Sequence, residues 1–246
     1  MAFEYPGEYY EIIRADFRDL AAETDLLAGL LPESGGMVLD LGSGTGTTLR
    51  SLAALGHKGV GVDLSTTFVD HAKSRAGDNE RYVLGSFTEF DTDEQFDVVC
   101  TLFATLNLVP PTDLPELFAR VRRWLRPGGH LVVEAAHLLN FVDAFQPSQV
   151  THHTSPSGPV VTRLVRAAVN AHQATWRNEE AIMVADSDAK ALLYHNFFDQ
   201  WVLTAPELHN LLTAAGFEIT AEYGSFRGTP PPPFGKGPLI QVARVR

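Results

Sequence analysis

Two rhythms of apolar and polar positions alternate along the chain, and each change of rhythm marks a new element. Short apolar runs at Val38-Leu39-Asp40-Leu41, Gly59-Val60-Gly61-Val62, Arg81-Tyr82-Val83-Leu84, Phe96-Asp97-Val98-Val99-Cys100 and His130-Leu131-Val132-Val133-Glu134-Ala135 have the length and residue types of buried strands. Between them the spacing becomes helical. Leu26, Leu27, Leu30 and Leu31 share one face, as do Leu49, Leu52 and Ala53, then Phe68, Val69 and Ala72, then Leu114, Leu117, Phe118, Val121, Trp124 and Leu125. Pro32 with Gly35-Gly36 and later Gly56 punctuate the helices, and Ser65 stands where an N-cap belongs. Strands alternating with helices predict an α/β fold, a doubly wound and mostly parallel sheet. Thr204-Ala205-Pro206-Glu207 is a capping box for a helix carrying Leu208, Leu211 and Leu212 to Gly216. Phe217–Tyr223 and Leu239–Val245 then supply two last strands.

Two stretches depart from this scheme. Within residues 141–204 the segments Val160–Val169, Thr175–Asp186 and Ala191–Val202 read as extended, separated by Asn-Ala-His and Asp-Ser-Asp turns, and predict a small antiparallel insertion of three strands. Strict alternation along the last of these puts His195 with Phe197 and Trp201 on one face, and Tyr194 with Asn196 and Gln200 on the other. If the first face lines a cavity, His195 and Trp201 shape a substrate pocket; if it is core, His195 is structural. Residues 1–20 are rich in aromatic groups, with Tyr9, Tyr10, Ile13 and Phe17 at roughly helical spacing. Such a segment covers something, either as a packing helix or as a lid. Pro230 to Pro233 form a stiff, extended loop.

The chemistry gathers at Asp40-Leu41-Gly42-Ser43-Gly44-Thr45-Gly46, a strand end, a tight turn and a helix start. Glycine at Gly42 and Gly44 lets the backbone lie against a ligand, with Ser43 between them. Asp63, at the end of the next strand, is placed to accept hydrogen bonds from ribose hydroxyls, and Leu64 follows it. Dinucleotides and S-adenosylmethionine both use this geometry. A dinucleotide fingerprint requires a third glycine where this chain has Thr47, which disfavours NAD. The ends of parallel strands bind ligands, so Leu102 and Phe103 fall beside the cofactor, with Asn107 and His137 as candidates for facing substrate or handling a proton.

Composition narrows the partners. The net charge of −11, with no lysine or arginine run, argues against nucleic acid. Cys100 is the only cysteine, so neither an intramolecular disulfide nor a cysteine metal site is expected, and no metal is assigned. No stretch reaches membrane-spanning length and the first residues lack a signal-peptide pattern, so a cytoplasmic location is the default expectation, with no membrane partner.

From about Glu23 to Ala136 the chain resembles the class I S-adenosylmethionine-dependent methyltransferases, on the acidic glycine-rich turn, Asp63, the Phe96–Cys100 strand and the Leu125-Arg126-Pro127-Gly128-Gly129 turn. The resemblance implies a single domain over residues 1–246: a Rossmann-like, seven-stranded sheet whose antiparallel insertion is a roof over the acceptor or a homodimer contact. S-adenosyl-L-methionine is the cofactor it implies, held by Asp40, Gly42, Ser43, Gly44, Asp63, Leu64, Leu102 and Phe103. In the similar aminosugar N,N-dimethyltransferases a tyrosine of the first helical segment touches the cofactor, and Tyr9 falls nearest that position. The family usually has an aspartate after its third strand for the adenine amino group; here Ser86 stands instead, beside Phe87. The implied function is methyl transfer to a small-molecule acceptor, with an amine nitrogen as the first reading and Asn107, His137, Tyr194, His195 and Trp201 as candidate pocket residues. Small-molecule O- or C-methylation is the alternative within the class. An NAD-dependent oxidoreductase and a non-catalytic nucleoside-binding protein are the alternatives outside it.

Overall fold

The computed structural model describes residues 3–137, 145–156, 158–185, 191–232 and 237–246. Five strands, β1 (Met37–Leu41), β2 (Lys58–Asp63), β3 (Glu80–Leu84), β4 (Phe96–Thr101) and β5 (Leu125–Ala135), pair in parallel. Two more, β10 (Phe217–Tyr223) and β11 (Leu239–Val245), complete a seven-stranded sheet of order β10-β11-β5-β4-β1-β2-β3, in which β11 runs antiparallel to both of its neighbours. The chain winds outward from β1 to β3, then returns to lay β4 on the other side of β1. A crevice therefore opens between the tips of β1 and β4, the place where open α/β sheets bind ligands.

The apolar runs are continuous because helices cover both faces. One face packs Leu39, Leu41, Val60, Val62 and Val99 against α5 (Leu114–Trp124) and α6 (Ala205–Ala214). The other packs Val38, Val98, Cys100 and Val132 against α2 (Leu20–Ala28), α3 (Thr47–Ala54) and α4 (Thr66–Ser74) through Leu27, Leu49, Leu52 and Val69. All six positions of the Leu114–Leu125 pattern are buried. Ser65 caps α4 by accepting the Phe68 amide, and the Thr204–Glu207 capping box is closed in both directions.

The insertion contains four strands rather than three: β6 (Ser148–His153), β7 (Val160–Asn170), β8 (Thr175–Ala185) and β9 (Ala191–Trp201), antiparallel in that order. In β6, Ser-Gln-Val-Thr-His-His has one apolar residue, so periodicity gave no sign of it. Its pairing with β7 carries it instead. Residues 141–144, the 186–188 turn and Pro233 lie outside the described residues.

The inner face of this second sheet meets the N-terminal segment. Val161, Ile182, Val184 and Tyr194 pack with Tyr5, Ile13 and Phe68, so α1 (Gly7–Ala15) is sandwiched between the second sheet and α4. Tyr194, Asn196 and Gln200 share that inner face, Asn196 and Gln200 being buried. His195 and Trp201 therefore project from the opposite, outer face, so the core reading of that face does not hold. His195 is exposed, and Trp201 borders an open groove with Arg177 and Asp199.

Candidate active site

At the tip of β1 the backbone makes three left-handed steps, at Gly42 (φ 83°), Gly44 (φ 54°) and Gly46 (φ 76°). A side chain at Gly42 would strike Thr105, with Cβ only 2.3 Å from its Cγ2. Gly44 is different. Its nearest neighbour would be Tyr10 Cε1 at 3.8 Å, so its bare face looks onto open space. Asp63 ties this loop to the tip of β2, with Oδ2 accepting the Gly44 amide and Oδ1 the Ser65 amide, both at 2.8 Å. Each carboxylate oxygen keeps a further lone pair, which leaves Asp63 able to take two hydroxyl donors. Burial raises its pKa, and the backbone amides of Ser65, Gly44 and Leu64 oppose that rise.

Gly42, Gly44, Asp63, Leu64, Ser86 and Phe87 line one cleft of about 240 Å³. The cleft also takes Thr105, which with Asn107 is expected from the sequence either to cap a helix or to face a substrate, and Phe3, Tyr10, Phe68 and Asp113, which the sequence does not assign to a ligand. Tyr10 replaces Tyr9 there because one residue along a helix turns the side chain by about 100°. Tyr10 faces the glycine loop and lies 4.7 Å from the Phe68 ring, whereas the Tyr9 ring lies 6.1 Å from that of Tyr194 on the second sheet. Ser86 shares a hydrogen bond with Thr88 across 2.7 Å. The Ser43 side chain packs against Gly61 rather than toward the cleft.

Deeper in the crevice are two carboxylates that the fold leaves poorly compensated. Asp40 is buried and its Oδ1 has no hydrogen-bond partner. Burial and the neighbouring Glu23 push its pKa up to about 7, against the opposing pull of Arg18. Glu134 accepts the Phe103 amide at 2.7 Å, and burial raises it to about 7 as well. Arg18 is itself held by Glu23 and Thr48.

The β4 tip continues through Phe103 (φ 54°) and Ala104 (φ 57°), two left-handed non-glycine residues in succession. Backbone of this kind is strained and persists only where neighbours fix it. Here Glu134 supplies its carboxylate to the Phe103 amide and its carbonyl to the Ala104 amide at 3.2 Å, while Gln200 of β9 donates to the Ala104 carbonyl at 3.3 Å. Phe103 presents its ring to the guanidinium groups of Arg14 and Arg18 rather than to the cleft. Leu102 is buried and its carbonyl already accepts the Thr105 amide.

Neither candidate for proton handling reaches the cleft. Asn107 has no exposed surface; its amide donates to the Ala136 carbonyl at 2.8 Å and the Trp201 carbonyl at 2.6 Å, and accepts the Ala136 amide at 2.9 Å. It is a buried tie between the β4 tip, the β5 end and the second sheet, and Thr105 is the polar residue of that run which lines the cleft. The His137 ring lies 3.0 Å from the Gly237 carbonyl, beside a bridge to Leu203. Among the described residues no group of His, Cys, Asp and Glu is arranged to hold a metal ion, and no helix is long and apolar enough to cross a membrane.

This donor set suits a sulfonium nucleoside. The open backbone at Gly44 admits close approach, Asp63 has lone pairs for the ribose, and the unpartnered Asp40 oxygen with Glu134 gives a cationic group the charge complement that the protein itself leaves unfilled.

Comparison with known proteins points the same way. Residues 38–129 match the family model described as a methyltransferase domain. A cypemycin N-terminal methyltransferase from a Streptomyces species is 28% identical over 91% of this chain and 89% of its own. The dTDP-3-amino-3,4,6-trideoxy-alpha-D-glucopyranose N,N-dimethyltransferase of Streptomyces venezuelae is 28% identical over 95% of this chain and 99% of its own. An S-adenosylmethionine-dependent methyltransferase from Clostridium acetobutylicum shares the fold with a TM-score of 0.81, at 15% identity, over 96% of both chains. The glycine cradle and Asp63 lie within the residues that match the methyltransferase domain, and with these chain-long likenesses they support an S-adenosylmethionine-dependent methyltransferase.

Proposed function

We propose that this methyltransferase alkylates an amine nitrogen of a small molecule presented between the β4 tip and the inner face of the second sheet. The observation that carries this reading is the composition of the cleft wall. In the cleft that Arg14 and Arg18 line beside Phe103 there is no imidazole, thiol or lysine amine among the described lining residues, and its carboxylate, Glu11, is held by Arg50 and Arg75. A phenol or alcohol acceptor needs a placed general base, whereas an amine needs only to shed its ammonium proton before it attacks. The relatives named for methylation at a peptide N-terminus and on an aminosugar support the same class.

When bound, S-adenosylmethionine supplies an electrophilic methyl group on a sulfonium. The chain's part is positional. Asp63 and the glycine loop fix the nucleoside, and Asp40 and Glu134 favour the cationic donor. The Phe103–Ala104 turn, held by Glu134 and Gln200, sets where an acceptor meets it. Holding the two reactants in line accounts for much of the rate, since good orientation lowers barriers by roughly 7–11 kcal/mol.

Residues 3–15 serve as the lid in this reading. Phe3 and Tyr10 line the cleft, and the Phe3 carbonyl accepts the Ser65 hydroxyl at 2.5 Å. The second sheet is the roof by its inner face. Its outer face exposes Val150, Leu164, Met183 and Leu193 and is the surface through which two copies would pair.

The test is turnover with S-adenosylmethionine and a panel of amines, phenols and carbon acids, read as S-adenosylhomocysteine release with identification of the methylated atom. Methylated amines are expected. Turnover confined to phenols or carbon acids would contradict the reading.

A further inference from the structure

Arg14 and Arg120 are the described arginines whose Nε is buried without a hydrogen-bond partner, and Arg14 also lines a cleft. Arg18, Arg50 and Arg163, comparably enclosed, are each paired with a carboxylate, on Glu23, Glu11 and Glu180 respectively. No carboxylate lies within ion-pair distance of Arg14 among the described residues, and its Nε is buried without a hydrogen-bond partner. Its neighbours are rings instead, and the Tyr10 hydroxyl accepts from the guanidinium. Tyr10, Phe17 and Phe103 present their faces to the guanidinium at 4.9, 5.2 and 5.3 Å. Stacking engages the flat faces of a guanidinium, while its N–H donors point outward in the plane, where they match the oxygens of a carboxylate or phosphate.

The surroundings have room for such a group, and the two acids whose fields couple to Arg14 are engaged elsewhere, Glu134 by the Phe103 amide and Glu180 by Arg163. Arg14 and Arg18 line a second cleft of about 300 Å³ with Tyr10, Glu11, Thr45 and Thr47. Both Glu11 oxygens are already occupied, by Arg50 at 2.8 Å and Arg75 at 2.9 Å. Glu180, the acid of the second sheet whose field reaches Arg14, is paired with Arg163 through Nε at 3.0 Å. Beside Glu180 on the adjacent strand, Asn196 is buried with its Nδ2 unpartnered, a second donor lacking an acceptor at the same end of the molecule. Tyr10 borders both this cleft and the one that holds Asp63, so the two spaces meet at its ring.

We infer that Arg14 is a specificity residue for the methyl acceptor, receiving an oxyanion, carboxylate or phosphate, that the acceptor carries away from its amine. The inference rests on the functional reading above and sharpens it: the substrates are amines bearing an acidic group, and neutral amines are poor ones.

The test is calorimetric titration of inorganic pyrophosphate and of glycylglycine into the full-length protein saturated with S-adenosylhomocysteine. At least one probe is expected to bind, and Arg14→Met to weaken it at least tenfold. Arg14→Lys, which keeps the charge without the planar fork, should fall between. Arg227→Met, at an exposed arginine paired with Asp19, is the control and should change nothing. Circular dichroism checks each variant's fold, and Arg14→Lys alone decides if Arg14→Met does not fold. Three results overturn the proposal: neither probe binds, the Arg14 variants bind as wild type does, or the probes bind only without S-adenosylhomocysteine while Arg14→Met weakens that ligand itself. The last would assign the guanidinium to the cofactor's carboxylate. If the wild-type protein does not bind S-adenosylhomocysteine, the cofactor reading fails, and titration of the unliganded protein still decides the role of Arg14.

Discussion

Cofactor affinity should depend on pH through Asp40, and the size of the effect follows from its burial. The carboxyl titrates near 7 in the folded protein against an ordinary 3.8, a rise caused first by burial and then by Glu23. A rise of about three units corresponds to about 4 kcal/mol of unfavourable charging. The sign follows from linkage. An acid whose folded pKa is raised stabilises the fold fully below its unfolded value, near pH 4, and that contribution is lost as pH rises to about 7. Above pH 7 the protein thus carries a buried anion that Arg18 and Cys100 compensate only in part, and a bound cationic ligand offsets the remaining cost. Below pH 7 that ligand must first displace a proton, so affinity falls by about a factor of ten per pH unit, or about thirtyfold between pH 8 and 5.5, from Asp40 alone. Glu134 titrates in the same range and steepens the fall. Calorimetric titration of S-adenosylmethionine between pH 5.5 and 8.5 reads this directly. Asp40→Asn should weaken binding at pH 8 by roughly tenfold to a hundredfold, the worth of a hydrogen bond to a charged group, and should flatten the pH dependence. It should not lower the thermal midpoint of the unliganded protein at pH 8. A wild-type affinity that is constant across this range, or an Asp40→Asn variant with the wild-type slope, refutes the argument.

Other expectations are independent of that one. Asn107→Ala strips partners from the Ala136 amide and from the Ala136 and Trp201 carbonyls, so it should destabilise the protein by about 3 kcal/mol, a fall in midpoint of about 6–12 °C, with little loss of turnover at a permissive temperature. Tyr10→Ala should weaken cofactor binding about five- to tenfold through the lost aromatic contact, whereas Tyr9→Ala should leave it within twofold; equal effects would contradict the placement of the two rings. Leu193→Arg, at 67% exposure on the outer face of the second sheet, should convert a dimer to a monomer by light scattering without unfolding it. A wild-type protein that is already monomeric would remove that role for the outer face.

The parallel sheet was legible because its strands are buried on both faces and its helices keep strict period, as the Leu114–Leu125 pattern shows. The cofactor loop was legible because glycine and aspartate at fixed offsets have few other uses. Three things were hidden, each for a physical reason. β6 is held by pairing with β7 rather than by an apolar pattern of its own, so its sequence reads as loop. Tyr9 and Tyr10 are adjacent and alike, and only the docking of α1, where Gly7 sits against His71 and Thr45, decides which ring turns to the cleft. Asn107 lies in the stretch that approaches the ligand, but its amide is consumed by backbone groups of β5 and β9 that are distant in sequence. His195 went astray for a related reason: alternation separates the two faces of a strand without saying which one turns inward.

The most direct test of the account is the affinity of S-adenosylmethionine for the wild-type protein and for Gly44→Val, measured by calorimetry beside NAD. The account predicts clear binding of S-adenosylmethionine, none of NAD, and a loss of at least a hundredfold in the variant, whose side chain would fill the open face of the loop and resist its left-handed backbone. Unchanged affinity in a folded Gly44→Val protein, or binding of NAD in place of S-adenosylmethionine, would contradict it.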